Sequence, residues 1–145
     1  MLTRLIYHSE NHLGLGVGSE KMIASLDKLL EVSVRNNARD GLTGALLFDA
    51  LWFVQILEGE REVITATMQK IMSDARHASV NVMFADAMNE RLFGNWWMGA
   101  AALPGIDILA RHRIQRFDPR TLTGSQVLAI ASDLAAAGLD RHLAA

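Results

Sequence analysis

The segment that most restricts the possible folds of this chain is the run WFVQIL, from Trp52 to Leu57. Because side chains alternate between the two faces of a strand, a run that is apolar on both faces predicts a strand buried on both sides. A second apolar run, from Leu42 to Phe48, precedes it after the short connection Asp49-Ala50. This connection predicts a hairpin of two antiparallel strands.

Periodic patterns on either side of the hairpin predict the other elements. Strands are predicted over 2–9, 80–85 and 97–103, and helices over 19–36 and 60–75, the first one capped by Ser19. The two apolar stripes consist of Met22, Leu26, Leu29 and Leu30 in the first helix and Ile64, Met68, Ile71 and Met72 in the second. The β-α-β-β-α-β-β order predicts an α+β, ferredoxin-like fold, a mixed five-stranded sheet with two helices on one face.

A C-terminal helical extension follows this unit. Pro104-Gly105 marks the end of the sheet, so we divide the chain into a domain over 1–103 and an extension over 104–145. Ser125 can cap a last helix. Its apolar stripe consists of Val127, Ile130, Ala131 and Leu134. We expect this helix to cover the other face of the sheet or to contact a partner chain.

Composition and charge exclude several classes of function. A formal net charge of −2 over 145 residues gives no electrostatic reason to expect nucleic acid or an anionic membrane as a partner. The chain has no cysteine, which excludes disulfides, thiolate metal sites and thiol nucleophiles. Neither a signal peptide nor a membrane-spanning run is evident, so we expect a cytoplasmic protein.

Two motifs are weak candidates for a site. The segment GLGVG, from Gly14 to Gly18, lies between a strand and a helix, as a dinucleotide-binding loop would, but Ser19 occupies the third glycine position and a flexible loop is the better interpretation. The histidines lack metal-ligand spacing, and we expect them to be solvated. Glu58 and Glu60 are explained by their place at the start of a helix.

Gln55 is a stronger candidate because it interrupts an apolar strand. A buried carboxamide without partners would cost on the order of 1–3 kcal/mol, so neighbouring groups must satisfy it. Tyr7, the only tyrosine, sits in the middle of the first strand and could supply its hydroxyl. Asn36-Asn37 at the end of the first helix is, taken alone, a C-cap. Together these groups suit the polar edge of a planar heterocycle, although a simple core Tyr–Gln pair also accounts for the first two.

Five motifs in order give the chain a family resemblance over about residues 2–103. They are RLIYHS over 4–9, RNNARDGLTG over 35–44, FVQILEG over 53–59, DARH over 74–77 and RLFGNWWMG over 91–99. This set resembles the BLUF family, the blue-light sensors that use FAD. The resemblance implies a noncovalent flavin between the two helices, normally FAD, for which FMN or riboflavin can substitute.

The resemblance also implies which residues contact the flavin and which respond to light. The residues that it implies as flavin contacts are Tyr7, Leu29, Asn36, Asn37, Phe53, Gln55, Lys70, Ile71, His77 and Met98. Tyr7 would donate an electron and a proton, and Gln55 would relay between Tyr7 and the flavin. Ser9, Trp96 and Met98 would carry the signal onward. Two features depart from the family pattern, namely the long loop over 10–18 and a second large aromatic residue, Trp97.

The resemblance predicts a switch and not an enzyme. We expect output through an unidentified downstream protein, with homo-oligomers (dimers or larger) as a further implication. Two alternatives stay open from the sequence: a flavin-dependent oxidoreductase, and a ferredoxin-like interaction module without a cofactor. A yellow purified protein would reject the second, and NAD(P)H oxidation in darkness would favour the first.

Overall fold

A computed structural model describes residues 1–12, 20–75, 77–103 and 108–137, without the side chains of residues 21–23 and 77. The elements are β1 (Leu2–Asn11), α1 (Glu20–Asp40), β2 (Thr43–Phe48), β3 (Trp52–Glu60), α2 (Arg61–Met72), β4 (His77–Ala87), β5 (Gly99–Ala102), α3 (Ile108–Arg111), a 3₁₀ turn (Pro119–Thr121) and α4 (Gly124–Ala137). Within this described part of the chain, no helix is both long and apolar enough to cross a bilayer.

The five strands form one mixed sheet in the order β4-β1-β3-β2-β5. The strand β1 is antiparallel to both β3 and β4, β2 is antiparallel to β3, and β5 is parallel to β2. The apolar strand β3 is therefore central, as its burial on both sides requires. The predicted α+β fold with a mixed five-stranded sheet is confirmed.

The first face of the sheet is covered by α1 and α2. Leu26, Leu29 and Leu30 of α1 and Ile64 and Met68 of α2 pack in one apolar cluster with side chains of β1, β2 and β3. The predicted stripes are confirmed at these positions, while the side chain of Met22 lies outside the described residues. Met72 is wrong as a core residue, because it ends α2 and is 56% exposed.

The second face of the sheet is covered by the C-terminal extension. The predicted stripe of α4 is buried and packs against β-strand residues that point away from α1 and α2. Those strand residues include Ile6, Ala45, Leu47, Val54 and Ile56. Each sheet face thus has its own apolar core, and the last helix covers the sheet itself.

Several predicted element ends are wrong. The helix α1 continues to Asp40, four residues beyond Asn36, and Gly41 adopts φ 73, the left-handed conformation that glycine tolerates after a helix. The amide of Leu42 then bonds the carbonyl of Asn37. Asn36 and Asn37 therefore lie inside the last turn and do not form a C-cap.

The other differences also follow from local bonds. The helix α2 was predicted to end near residue 75 but ends at Met72. Directly after Met72, the Ser73 amide bonds back to the Lys70 carbonyl. The helix α4 is capped by Thr123 and not by Ser125, because the Thr123 hydroxyl accepts from the Gln126 amide. The strand β5 begins only at Gly99, so residues 97 and 98 precede it. The predicted Ser19 cap lies outside the described residues.

Candidate functional site

Tyr7 and Gln55 meet on the first face of the sheet. They are direct partners in the antiparallel register of β1 and β3, so their side chains point to the same side. The Tyr7 hydroxyl donates a hydrogen bond to Gln55 Oε1. Gln55 Nε2 in turn donates to the Met98 sulfur at 3.6 Å. The carboxamide therefore links a phenol in β1 to the segment that precedes β5.

The hydroxyl of Tyr7 is held in its protonated form. The side chain is completely buried, and burial raises the pKa of the phenol far above its ordinary value, with a smaller contribution in the same direction from the negative charge of Asp74. Tyr7 is therefore a hydrogen-bond donor at any physiological pH.

A cavity of about 140 Å³ opens beside Gln55, between the second half of α1 and the end of α2. Apolar and polar side chains share its wall. Among the predicted cofactor residues, those that line it are Leu29, Asn36, Asn37, Gln55, Lys70, Ile71 and Met98. Leu29 and Ile71 come from the apolar stripes of the two helices. The amides come from Asn36 and Asn37 in the last part of α1 and from Gln55 in β3. This mixture fits a flat heterocycle with a polar rim.

The remaining predicted residues do not line this cavity. Tyr7 is connected to it through Gln55, and Phe53 is fully buried in the apolar cluster of the first face. Ser9 is fully buried two residues after Tyr7 and lies opposite Phe53 in the register of β1 and β3. The side chain of His77 lies outside the described residues.

Asn37 connects the end of α1 to the segment before β5. It is buried, and its Nδ2 donates to the backbone carbonyl of Trp97 at 2.7 Å. Asn36, its neighbour in the helix, is half-buried in the cavity wall. The pair therefore places amides at the cavity and also holds a backbone segment.

Met98 and Trp96 point to different cores. Met98 is fully buried in the cluster of the first face and touches Gln55, whereas Trp96 is half-buried and packs against the cluster of the second face. The carbonyl of Trp96 accepts from the Gly44 amide at 3.2 Å. In this structure, Met98 is therefore the residue of the pair that lies next to Gln55.

Three charged side chains belong to the wall of the cavity: Lys70, Asp40 and Asp74. The bond from Arg39 Nε to Asp40 Oδ1 is 2.8 Å long, and it lowers the pKa of the Asp40 carboxyl. Asp40 is therefore ionised at neutral pH. The wall therefore has one cationic and two carboxylate side chains beside the amides, so it is polar and has no excess of positive charge.

Glu58 is a residue whose role the sequence analysis misjudged. It lies in β3 and not at a helix start, and its side chain is fully buried on the second face. It accepts hydrogen bonds from Arg4, Thr43 and the backbone amides of Leu92 and Phe93. The signal was available, because an acidic residue in an apolar strand requires partners just as Gln55 does.

The weak candidate motifs gain no support as metal or nucleotide sites. Across residues 1–12, 20–75, 77–103 and 108–137, no cluster of three or more His, Cys, Asp or Glu side chains could hold a metal ion. The prediction that the histidines are solvated is wrong for His8, which is buried against Trp52 with ring centroids 6.0 Å apart. The segment from Gly14 to Gly18 lies outside the described residues.

A comparison with known families identifies the family to which the chain belongs. Residues 2–99 match the family model described as "Sensors of blue-light using FAD". The chain belongs to the BLUF family. It is 30% identical over 94 residues to the "Blue light- and temperature-regulated antirepressor BluF" of Escherichia coli (strain K12), a match that covers 65% of this chain and 22% of that protein.

A second relative is considerably longer than this chain. The "Photoactivated adenylate cyclase subunit alpha-like protein FB" of Euglena gracilis is 31% identical over 106 residues, which cover 72% of this chain and 10% of that protein. The chain thus spans less than a quarter of the length of these curated relatives. BLUF domains therefore occur joined to much larger proteins.

Solved BLUF structures share the whole described architecture. "BlsA photo-activated state" superimposes with a TM-score of 0.82 at 25% identity and covers 97% of this chain and 99% of its own. "BlrB - a BLUF protein, dark state structure" superimposes with a TM-score of 0.77 at 26% identity, covering 95% and 97%. This chain is accordingly a flavin-binding, blue-light-sensing BLUF domain with a helical extension.

Proposed function

We propose that this BLUF domain binds FAD noncovalently in the cavity beside Gln55 and signals through light-driven electron and proton transfer from Tyr7. The observation that carries the proposal is the chain of contacts from the Tyr7 hydroxyl through the Gln55 carboxamide to Met98. A carboxamide has both donor and acceptor atoms, so it can exchange its two ends between the same neighbours.

The side chains of the cavity suit the flavin ring system. Leu29 and Ile71 would hold the ring by apolar contacts, while Asn36, Asn37 and Lys70 would supply donors for its polar edge. Phe53 and His77 complete the proposed set, Phe53 as a buried support of the strand that carries Gln55 and His77 at the start of β4.

The proposed switch is a change of hydrogen-bond partners around Gln55. Blue light makes a bound flavin a strong electron acceptor. Tyr7 would then give an electron to that acceptor, and its hydroxyl proton would move toward Gln55 Oε1, to which it is already hydrogen-bonded. While Tyr7 is oxidised, the carboxamide rotates or tautomerises. When electron and proton return to Tyr7, Gln55 keeps the new arrangement until it relaxes in the dark.

The change at Gln55 would reach the second face of the sheet through the neighbours of Gln55. Met98 loses or changes its contact with Gln55 Nε2, and the segment before β5 moves with it. Trp96, two residues away, belongs to the same segment, and Ser9 lies buried on the same face of β1 as Tyr7. These three residues are the proposed connection between the light reaction and the second face of the sheet.

Output through a separate protein fits a domain of this kind better than catalysis does. The relatives named above are called an antirepressor and a cyclase subunit alpha-like protein, and the matched part is only 22% and 10% of their lengths. We therefore propose an unidentified downstream protein as the partner, together with self-association of this chain. Rapid NAD(P)H oxidation in darkness would instead favour the flavin-dependent oxidoreductase.

The test is the absorption spectrum of the flavin-loaded protein before and after blue light. The wild-type protein is expected to show a small red shift that reverses in darkness. Tyr7→Phe removes the proton donor and Gln55→Leu removes the relay, so both are expected to bind flavin and show no shift. A full, reversible shift in either variant would refute the assigned roles.

A further inference from the structure

Glu58 anchors the segment that leads from β4 to β5. Its oxygens accept from the Leu92 amide at 2.9 Å and from the Phe93 amide at 2.8 Å. The guanidinium of Arg4 donates to the same carboxylate through Nε and Nη2, both at 3.0 Å. The hydroxyl of Thr43 is a further, longer contact at 3.4 Å. A fully buried carboxylate is thus surrounded by donors from three parts of the chain.

Arg91 fastens the same segment from its other side. Its guanidinium donates to the carbonyls of Glu58 and Gly41 and to the hydroxyl of Thr43, each at 2.9 Å. Arg91 and the Glu58 carboxylate therefore tie residues 91–93 to the start of β2 and the end of β3, and Arg4 holds the carboxylate from β1. Phe93 follows with a fully buried ring in the cluster of the second face.

The anchored residues lead directly to Met98. The Trp96 amide bonds the carbonyl of Phe93 at 3.0 Å, and the Trp96 carbonyl bonds Gly44. Residues 91–98 form neither a helix nor a longer strand, so their position depends on these individual bonds and on the burial of Phe93 and Met98. The first part of the segment is bonded to Glu58, and its last residue, Met98, contacts Gln55.

We infer that Glu58 is a positioning residue, which sets how firmly the segment with Trp96 and Met98 is held against Gln55 and thereby sets the lifetime of the lit state. This inference rests on the proposed function. All groups that contact the Glu58 oxygens are donors, so the site requires a group that only accepts. A glutamine would turn an NH₂ toward one of these donors and release part of the segment.

The experiment compares Glu58→Gln with Glu60→Gln in the full flavin-loaded chain. Glu60 is the matched control, because it lies in the same strand but is exposed and bonds only the N-terminal amine among the described contacts. We expect Glu58→Gln to keep the light-induced red shift and to recover in darkness roughly tenfold faster, the effect of losing about one hydrogen bond to a charged group. Glu60→Gln should recover at the wild-type rate.

Amide hydrogen exchange separates positioning from general stability. Exchange at Leu92 and Phe93 should accelerate in Glu58→Gln, while exchange at Ile6 and Ile56 in the central strands should stay at the wild-type rate. A wild-type recovery rate in Glu58→Gln would overturn the inference. Equal acceleration in both glutamine variants would do the same, as would faster exchange throughout the sheet.

A second variant keeps the inference testable if Glu58→Gln does not fold. Arg91→Met removes three bonds of the same segment from a partly exposed position, and it is expected to speed recovery in the same direction. Wild-type recovery in Arg91→Met would then count against the inference. If the wild-type protein shows no red shift, the proposed function itself fails, whatever the variants do.

Discussion

His8 shows how much a single residue can depend on the side of the sheet to which it points. It follows Tyr7 in β1 and therefore faces the second core, where its ring stands at 87° to that of Trp52. The guanidinium of Arg120 lies 5.0 Å from the centre of the Trp52 ring on the same side. Among the described residues, His8 Nδ1 has no hydrogen-bond partner.

His8 should make the stability of the fold depend on pH. Burial lowers the pKa of His8, Asp118 raises it and Arg120 lowers it further. Between this lowered pKa and about 6.5, the unfolded chain binds more protons than the folded chain, so the free energy of unfolding falls as the pH falls through this window. The slope contributed by one such group is at most about 1.4 kcal/mol per pH unit.

Urea unfolding of the wild type and of His8→Phe between pH 7.5 and pH 5.5 measures this contribution. The phenylalanine keeps an aromatic edge toward Trp52 but cannot bind a proton. The wild-type curve should fall more steeply than that of His8→Phe toward acid pH. Parallel curves would contradict the assignment of the slope to His8.

At the scale of the elements, helix ends are decided by bonds that the hydrophobic pattern does not contain. The hydroxyl of Thr123 accepts from the Gln126 amide at 3.1 Å, and Gln126 Oε1 accepts from the Thr123 amide at 2.8 Å. This reciprocal pair is a capping box, with glutamine three residues after the cap. It fixes the start of α4, whose stripe closes the second core.

Removal of this cap should weaken the whole protein measurably. Thr123→Ala loses the acceptor for the Gln126 amide and is expected to lower the free energy of unfolding by about 1 kcal/mol. Ser125→Ala is the matched control, because Ser125 is exposed inside the first turn, and it should be neutral or slightly stabilising. Chemical denaturation of both variants provides the comparison, and equal losses would contradict the assignment of the cap.

The stripes of the helices and the central place of β3 could be predicted because they depend only on spacing along the chain. The end of α1 was predicted at the two asparagines, but the glycine at φ 73 and the bond from Leu42 to Asn37 place it at Asp40. The late start of β5 also has a tertiary cause. Asn37, Gly44 and Gln55 bond residues 96–98 individually, in place of a regular strand ladder.

At the scale of the whole molecule, the sheet separates the cavity from the helical extension. Its first face carries the cavity, Tyr7 and Gln55, and its second face carries the helical extension. The segment before β5 contributes to both cores, because Met98 packs on one side and Trp96 on the other. A displacement of this segment would therefore reach the extension without any change in the central strands.

The candidate site was predictable to the extent that it rests on sequence motifs. Tyr7 and Gln55 could be paired because Gln55 interrupts an apolar strand and Tyr7, the only tyrosine, lies in the middle of another, and the structure brings them into direct register. The Glu58 cluster could not be assembled from the sequence, since Arg4, Thr43 and residues 91–93 come together only after the sheet has formed.

The central claim is that illumination changes the hydrogen bond between Tyr7 and Gln55. Because Tyr7 is the only tyrosine, isotopic labelling of tyrosine reports on this residue alone. Light-minus-dark infrared spectra of the flavin-loaded protein, with and without ring-labelled tyrosine, measure its C–O stretch directly. We expect a label-sensitive band that shifts with light and returns in darkness at the same rate as the absorption spectrum. A complete red shift without any label-sensitive band would contradict the assigned role of Tyr7.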